Sequence, residues 1–178
     1  MSIIMVGGIP TSGKSKLISG LIGDVGSFDI CNPYPLFPCQ SHGDILVVGR
    51  YPEGETFGGT DKLSYGTIPK FRDFIKQEEP KWKHIIIEGD RFFRSQDITW
   101  ICDNYDSKVF VLTVSDTEEK RRHLERQDTQ TDRWLKGRRT QIQNILTDIV
   151  LMGSIEVRSN ETMEDSDNLK EEIKNLLN

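Results

Sequence analysis

Met5-Val6-Gly7-Gly8-Ile9-Pro10-Thr11-Ser12-Gly13-Lys14-Ser15, near the amino end, is the stretch on which the fold turns. Gly8, Gly13, Lys14 and Ser15 satisfy G-x-x-x-x-G-K-[ST], the spacing of a phosphate-binding P-loop. The flanks agree. Ile3, Ile4, Met5 and Val6 make a short apolar run of the kind found in buried parallel strands, and Lys16, Leu17, Ile18, Leu21 and Ile22 follow at helical spacing. Glycines let the main chain wrap close to a polyphosphate with successive N–H groups pointing inward. The helix that opens near Gly13 adds its positive end. Pro10, Thr11, Ser12 and Lys16 complete the expected cradle. Lys14 is placed to reach the β- and γ-phosphates, and Ser15 to ligate magnesium. The bland alternative is a glycine-rich turn with a chance lysine. It must explain four matched positions in a strand-loop-helix setting, so the expected ligands are ATP and Mg2+.

At 178 residues the chain suits one domain, 1–178, able to bury roughly 70% of its unfolded surface. No apolar run approaches the length of a membrane span, and the amino end enters a strand with no basic lead-in. A cytoplasmic protein with no membrane partner is expected. Cys31, Cys39 and Cys102 are odd in number and form no C-x-x-C pair, which favours free or buried thiols over disulfides or zinc; Cys31 and Cys39 stand where a hairpin would let them meet. Net charge is −5, which argues against a surface coated for DNA. The charge is uneven, however. Residues 120–143 carry eight bases against three acids, and residues 156–178 carry seven acids against three bases.

Beyond the first helix, residues 24–35 are rich in Gly, Asp and Pro and read as irregular. Leu36 to Cys39 and Ile45 to Tyr51 read as hairpin arms, with His42 a turn residue between them. Residues 52–66 hold four glycines among charges and hydroxyls, too many for a simple connection; a functional loop and a plain surface loop both fit. Thr67 is the expected cap of a helix with Ile68, Phe71, Phe74 and Ile75 buried and Pro80 at its end. His84-Ile85-Ile86-Ile87-Glu88-Gly89-Asp90-Arg91 reads as a strand delivering acids at its carboxyl end, where α/β sheets hold ligands; solvated loop acids are the alternative. A helix over 95–105 and a strand over 109–113 follow, and Ser115 to Glu118 reads as a capping box. After a polar break at 127–136, a helix runs to about Met152 with Ile142, Ile145, Leu146, Ile149 and Val150 facing inward. Ile155 and Val157 make a last strand before a helix striped by Leu169, Ile173, Leu176 and Leu177. Strands alternating with helices predict a three-layer α/β/α fold with a mostly parallel sheet.

The segment 120–140 is similar to the arginine-rich lids of nucleoside- and nucleotide-kinase-like enzymes, in which guanidinium groups close over the triphosphate and exclude water. Arg126, Arg133, Arg138 and Arg139 are the lid candidates. A solvated helix face with i,i+4 pairs, such as Arg121 with Glu125, is the competing reading. Asp61, Glu88 and Asp90 are the possible general bases. Their order stays open, with Glu88 or Asp90 expected near magnesium and Asp61 near the acceptor. Ser159 and Asn160, after the last strand, are candidate contacts to the nucleotide base.

Three further segments carry a resemblance. They are Gly49-Arg50-Tyr51, then Phe57-Gly58-Gly59-Thr60-Asp61-Lys62-Leu63-Ser64, then Ile87-Glu88-Gly89-Asp90-Arg91. Together with the P-loop they make the chain, to about Asn144, similar to bacteriophage P-loop kinases that phosphorylate 5-hydroxymethyluracil within DNA. The resemblance implies an acceptor hydroxymethyl group on a pyrimidine, with Tyr51, Gly59, Thr60, Asp61, Lys62 and Arg91 on the substrate side. A base inside a duplex would have to be flipped out, at a cost of a few kcal/mol. Tyr34, Phe37, Tyr51, Phe57, Tyr65, Phe92 and Phe93 include possible stacking partners, although at least half of these aromatics belong to the core. A kinase of free nucleotides or nucleosides uses the same machinery, and a nucleotide-dependent switch shares the P-loop.

Overall fold

The computed structural model describes residues 1–52, 58–126 and 130–178. Its centre is β1 (Ser2–Gly8), whose side chains from Ile3 to Val6 are fully buried. β1 lies parallel to β5 (His84–Glu88) on one side and to β6 (Ser107–Thr113) on the other. β4 (Ile45–Val48) extends the parallel set beyond β5, and β7 (Ile155–Ser159) extends it beyond β6. Two antiparallel strands, β3 (Phe37–His42) and then β2 (Asp29–Tyr34), finish one edge, so the seven strands run β2-β3-β4-β5-β1-β6-β7.

Alternation along the strands sends residues to opposite faces. Ile3, Met5, Ile85, Ile87, Val109 and Val111 pack with α2 (Phe71–Glu78), α3 (Ser95–Asn104) and α5 (Asp132–Leu146). Ile4, Val6, Ile86, Phe110 and Leu112 pack with α1 (Lys14–Val25) and α6 (Met163–Leu176). The result is a three-layer α/β/α fold around a mostly parallel sheet. α4 (Asp116–Arg126), which begins the arginine-rich segment, buries a single side chain, Glu119. Among the described residues no helix is long and apolar enough to cross a membrane.

Several expectations need correction. Residues 24–35 are not irregular throughout, because Asp29–Tyr34 is a strand. It lies at the sheet edge, mostly exposed, and its register shifts between Cys31 and Tyr34, where Pro33 is tolerated. Cys31 and Cys39 need no correction: they are direct cross-strand partners, and both are free thiols as their odd number favours. His42 is not a turn residue. It ends β3, buried against Phe28 at 5.4 Å between ring centroids. The helix expected from Thr67 starts with a 3-10 segment at Tyr65–Lys70, in which the Thr67 hydroxyl donates to the Ser64 carbonyl. The Ser115 capping box is only half formed: Ser115 Oγ accepts from the Glu118 amide, but Glu161 takes the Ser115 amide because Glu118 is drawn to Arg121 and Arg122. α5 ends at Leu146, and Ile149 and Val150 are 80% and 64% exposed; the turn after the helix buries Leu151 in their stead. Phe37, Phe92 and Phe93 are core, with Phe37 stacked on Phe74 and Phe71 on Phe92, each at 4.2 Å. Phe57 lies outside the described residues.

Candidate active site

The carboxyl ends of the parallel strands gather the loops that bear chemistry, as open α/β sheets do. The P-loop leaves β1 at Gly8 and enters α1 at Lys14. A Cβ at Gly8 would stand 2.3 Å from the Leu112 carbonyl, and one at Gly13 would stand 2.4 Å from Asn160 Nδ2. Both positions therefore require glycine. Thr11 also takes a positive φ of 60°, strain of the kind kept at binding sites. The buried Thr11 Oγ1 and Ser12 Oγ have no hydrogen-bond partner in the protein. A loop with orphaned donors fits a polyphosphate.

Lys14 folds back over this loop. Its Nζ donates to the carbonyls of Gly8 (3.0 Å) and Ile9 (3.1 Å) and stands 3.8 Å from Asp90 Oδ1. Ser15 Oγ donates to Glu88 Oε1 at 3.1 Å, and Tyr51 donates to Glu88 Oε2 at 2.8 Å. The register that pairs Val6 with Glu88 brings the acid to the P-loop's mouth. Burial, reinforced by the nearby Asp61 carboxylate, pushes Glu88 up to about 8. Burial and Asp90 likewise raise Asp61, against the pull of Lys14. A hydroxyl and a carboxylate oxygen converging in an acid-rich pocket fit a magnesium ion, which takes only one or two protein ligands beside phosphates and water. Among the described residues no cluster of three or more His, Cys, Asp or Glu side chains is placed to hold a metal by itself.

The second acidic arm is built from backbone. Asp61 sits in a 3-10 turn, Thr60–Lys62, and its Oδ1 accepts from the Asp90 amide at 2.6 Å. Gly89 lets the two loops close, because a Cβ there would lie 2.7 Å from both Asp61 Oδ1 and Thr60 Oγ1. Gly59 does the same beside Glu88. Arg91 donates to the Asp61 carbonyl at 3.2 Å and lies over the Tyr65 ring, 3.8 Å from its centroid.

Beside them lies a cavity of about 750 Å³, from which Glu88 is withdrawn behind Ser15. Lys14, Ser15, Asp61, Lys62, Asp90 and Arg91 line it together with Pro10, Thr11 and Gly13, and Arg126 and Arg138 line it from the α4 and α5 side. Other expected residues lie elsewhere. Lys16 is exposed with its Nζ 3.4 Å from Met163 Sδ, Ser159 is exposed, and Arg133 is exposed and does not line the cavity. Gly59 and Thr60 are buried beneath the acids, and Tyr51 touches Glu88, so these three support the site from behind. Asn160 is buried and braces the P-loop through Nδ2 to the Ser12 carbonyl (2.6 Å). Arg139 pairs with the buried Glu119, joining α5 to α4. Arg121 bridges Glu118 and Glu125 on the exposed face, as the bland reading has it.

Four contributors escaped the sequence reading as site residues. Arg122 donates to the carbonyls of Thr11 (3.1 Å), Asn160 (2.7 Å) and Glu161 (3.0 Å). Arg94, held by Asp97, and Trp134, with Arg138 near its face at 5.4 Å, both line the cavity. Gln141 ties α5 to the Phe93 carbonyl at 2.7 Å. No sequence motif marks them, because most of their partners are backbone carbonyls, which any residue supplies.

No protein-family profile matches the chain, and no curated protein sequence does. Among solved structures, the crystal structure of a gluconokinase from Sinorhizobium meliloti 1021 is similar at a TM-score of 0.47 and 11% identity, over 97% of this chain and 95% of that one.

Proposed function

We propose that the chain is a P-loop phosphotransferase that moves the γ-phosphoryl group of ATP to an alcohol, and that this alcohol is the hydroxymethyl group of 5-hydroxymethyluracil in DNA. The observation that carries the reaction class is the convergence of Lys14, Ser15 and Asp90 on one cavity, with the buried Glu88 hydrogen-bonded to Ser15 behind its wall. Backbone amides of the P-loop and Lys14 hold the phosphates. Ser15 Oγ and Glu88 would hold magnesium, which would supply positive charge to offset that of the phosphates. Glu88 has both oxygens engaged, and Asp61 Oδ1 accepts from the Asp90 amide. Asp90, which lines the cavity 3.8 Å from the phosphate-binding Lys14, is the base in this reading: it takes the proton of the acceptor hydroxyl as that oxygen bonds to phosphorus and the bond to the ADP oxygen breaks. Arg126 and Arg138 offset the charge that spreads over the transferring group.

The acceptor rests on the resemblance of the 57–64 segment, from which Asp61 and Lys62 enter the cavity. A kinase of free nucleotides is the second reading, favoured by the net charge of −5, since phosphate contacts dominate DNA affinity. Transfer of γ-labelled phosphate to a panel decides. The panel holds DNA with 5-hydroxymethyluracil, the matching free mononucleotide, and buffer alone, each with wild type and Lys14→Ala. Label in DNA is expected. Label only in the mononucleotide selects the second reading, and hydrolysis with no labelled acceptor overturns both.

A further inference from the structure

The acceptor half of the cavity holds an aromatic side chain in an unusual setting. Tyr65 is 68% exposed, yet it lines the same cavity as Lys14 and Asp90. A solitary exposed aromatic on a convex surface needs no explanation. This one stands four residues after Asp61, and the group stacked behind it, Arg91, directly follows Asp90. The two loops that carry the acids thus also carry the stack, and the 2.6 Å bond from the Asp90 amide to Asp61 fixes those loops to each other.

Arg91 is not free to swing away. One of its terminal nitrogens donates to the Asp61 carbonyl at 3.2 Å, which leaves the guanidinium plane over the phenol ring, 3.8 Å from the centroid. A guanidinium at that distance occupies one face of the ring and draws on its electron density. The large exposure of Tyr65 then belongs to its edge and opposite face. Ile68, one helical turn on, adds an apolar surface to the same wall.

We propose that the open face of Tyr65, backed by Arg91, is the platform on which a planar base of the acceptor stacks, with its reactive hydroxyl delivered toward Asp90. The proposal rests on the phosphotransfer reading and assigns the residue that recognises the base of its acceptor. Base–aromatic stacking contributes about 1–3 kcal/mol per base, which corresponds to about 5- to 150-fold in affinity.

Tyr65→Leu and Tyr65→Phe test it in two arms. In the first, calorimetry measures equilibrium binding of a DNA oligonucleotide containing 5-hydroxymethyluracil, and of 5-hydroxymethyl-deoxyuridine monophosphate, without ATP, so turnover is not needed. Tyr65→Leu is expected to weaken binding about 5- to 150-fold and Tyr65→Phe to stay near wild type. In the second, the acceptor KM is compared with the KM for ATP, using that nucleotide and a sugar alcohol as acceptors. The acceptor KM of the nucleotide is expected to rise in Tyr65→Leu against that of ATP. Unchanged nucleotide binding in Tyr65→Leu overturns the platform, as does an equal loss with the sugar alcohol or a wild type that binds no base-bearing acceptor. Failure of the phosphotransfer reading is separate, since it appears as transfer to no acceptor at all.

Discussion

Tyr51 donates its hydroxyl to Glu88 Oε2 at 2.8 Å, and the glycines at 58 and 59 let the chain close over that contact. A Cβ at Gly58 would stand 2.5 Å from the Tyr51 ring, and one at Gly59 would stand 2.3 Å from Glu88 Oε2. Tyr51 therefore turns the carboxylate so that Oε1 meets Ser15, a supporting role of the kind that changes metal affinity about 10- to 100-fold when removed. Tyr51→Phe is expected to raise the magnesium needed for half-maximal transfer by about tenfold, and a calorimetric titration of magnesium with ADP should show the same loss. An unchanged magnesium dependence would return Tyr51 to plain packing. His42 carries a different consequence. It is buried, and desolvation holds its imidazole below the usual range. The folded state thus keeps it neutral where the unfolded chain would protonate it, so stability is lost as pH falls through the unfolded value of about 6.5. Glu88, raised to about 8, works the other way over the same window, so His42 is read by difference: between pH 7.5 and 5.5 the melting temperature of His42→Leu should fall less, or rise more, than that of wild type.

At the scale of elements, α4 is tied to the P-loop through Arg122, and α5 to α4 through Arg139 and Glu119. Arg122 reaches three carbonyls of the P-loop and of the segment after β7, while Glu118 holds its Nε. Removing the guanidinium leaves those carbonyls with one partner fewer and frees α4 from the P-loop, so Arg122→Ala should raise the KM for ATP at least tenfold and lower the melting temperature by several degrees. A change in the melting temperature alone would limit Arg122 to stability. Arg122 also marks where reading the chain ran out. Gly8, Gly13, Lys14 and Ser15 are recognisable because phosphate chemistry demands those types at that spacing, and Glu88 because it ends a wholly apolar strand. Arg122 lies among seven other bases of one segment, and what singles it out is carbonyls 111 and 38 residues away. β2 was hidden for a related reason. An edge strand with one partner needs little apolar sequence, and Asp29-Ile30-Cys31-Asn32-Pro33-Tyr34 offers little. Ile149 and Val150 mislead in the opposite way, since they continue the helical stripe past the point where the chain turns.

Across the whole molecule, the alternation of strands and helices made the layer order readable, while the pairing of β1 with β5 brings the two halves of the site together. Long-range register, which sequence spacing does not encode, sets Val6 beside Glu88 and so puts Ser15 within 3.1 Å of the acid. The charge follows the same geography. The chain is acidic overall, at −5, but the cavity collects Lys14, Lys62, Arg91, Arg94, Arg126 and Arg138 against Asp61 and Asp90. An anionic ligand entering there should hold β1, β5 and the α4–α5 pair to one another and so stabilise the fold as a unit. Ligand at 100 times its dissociation constant adds about 2.7 kcal/mol, and each kcal/mol shifts the melting temperature of a chain this long by about 2–4 °C. Magnesium with a non-hydrolysable ATP analogue should therefore raise the melting temperature by about 5–11 °C, and the analogue with EDTA should raise it less. Lys14→Ala should lose most of the ligand-induced shift, measured against its own melting temperature without ligand, because the Nζ that rests on the Gly8 and Ile9 carbonyls and beside Asp90 is the cation placed for the phosphates. A wild-type protein whose melting temperature ignored both ligands would remove the P-loop from any role in nucleotide binding, whatever its sequence.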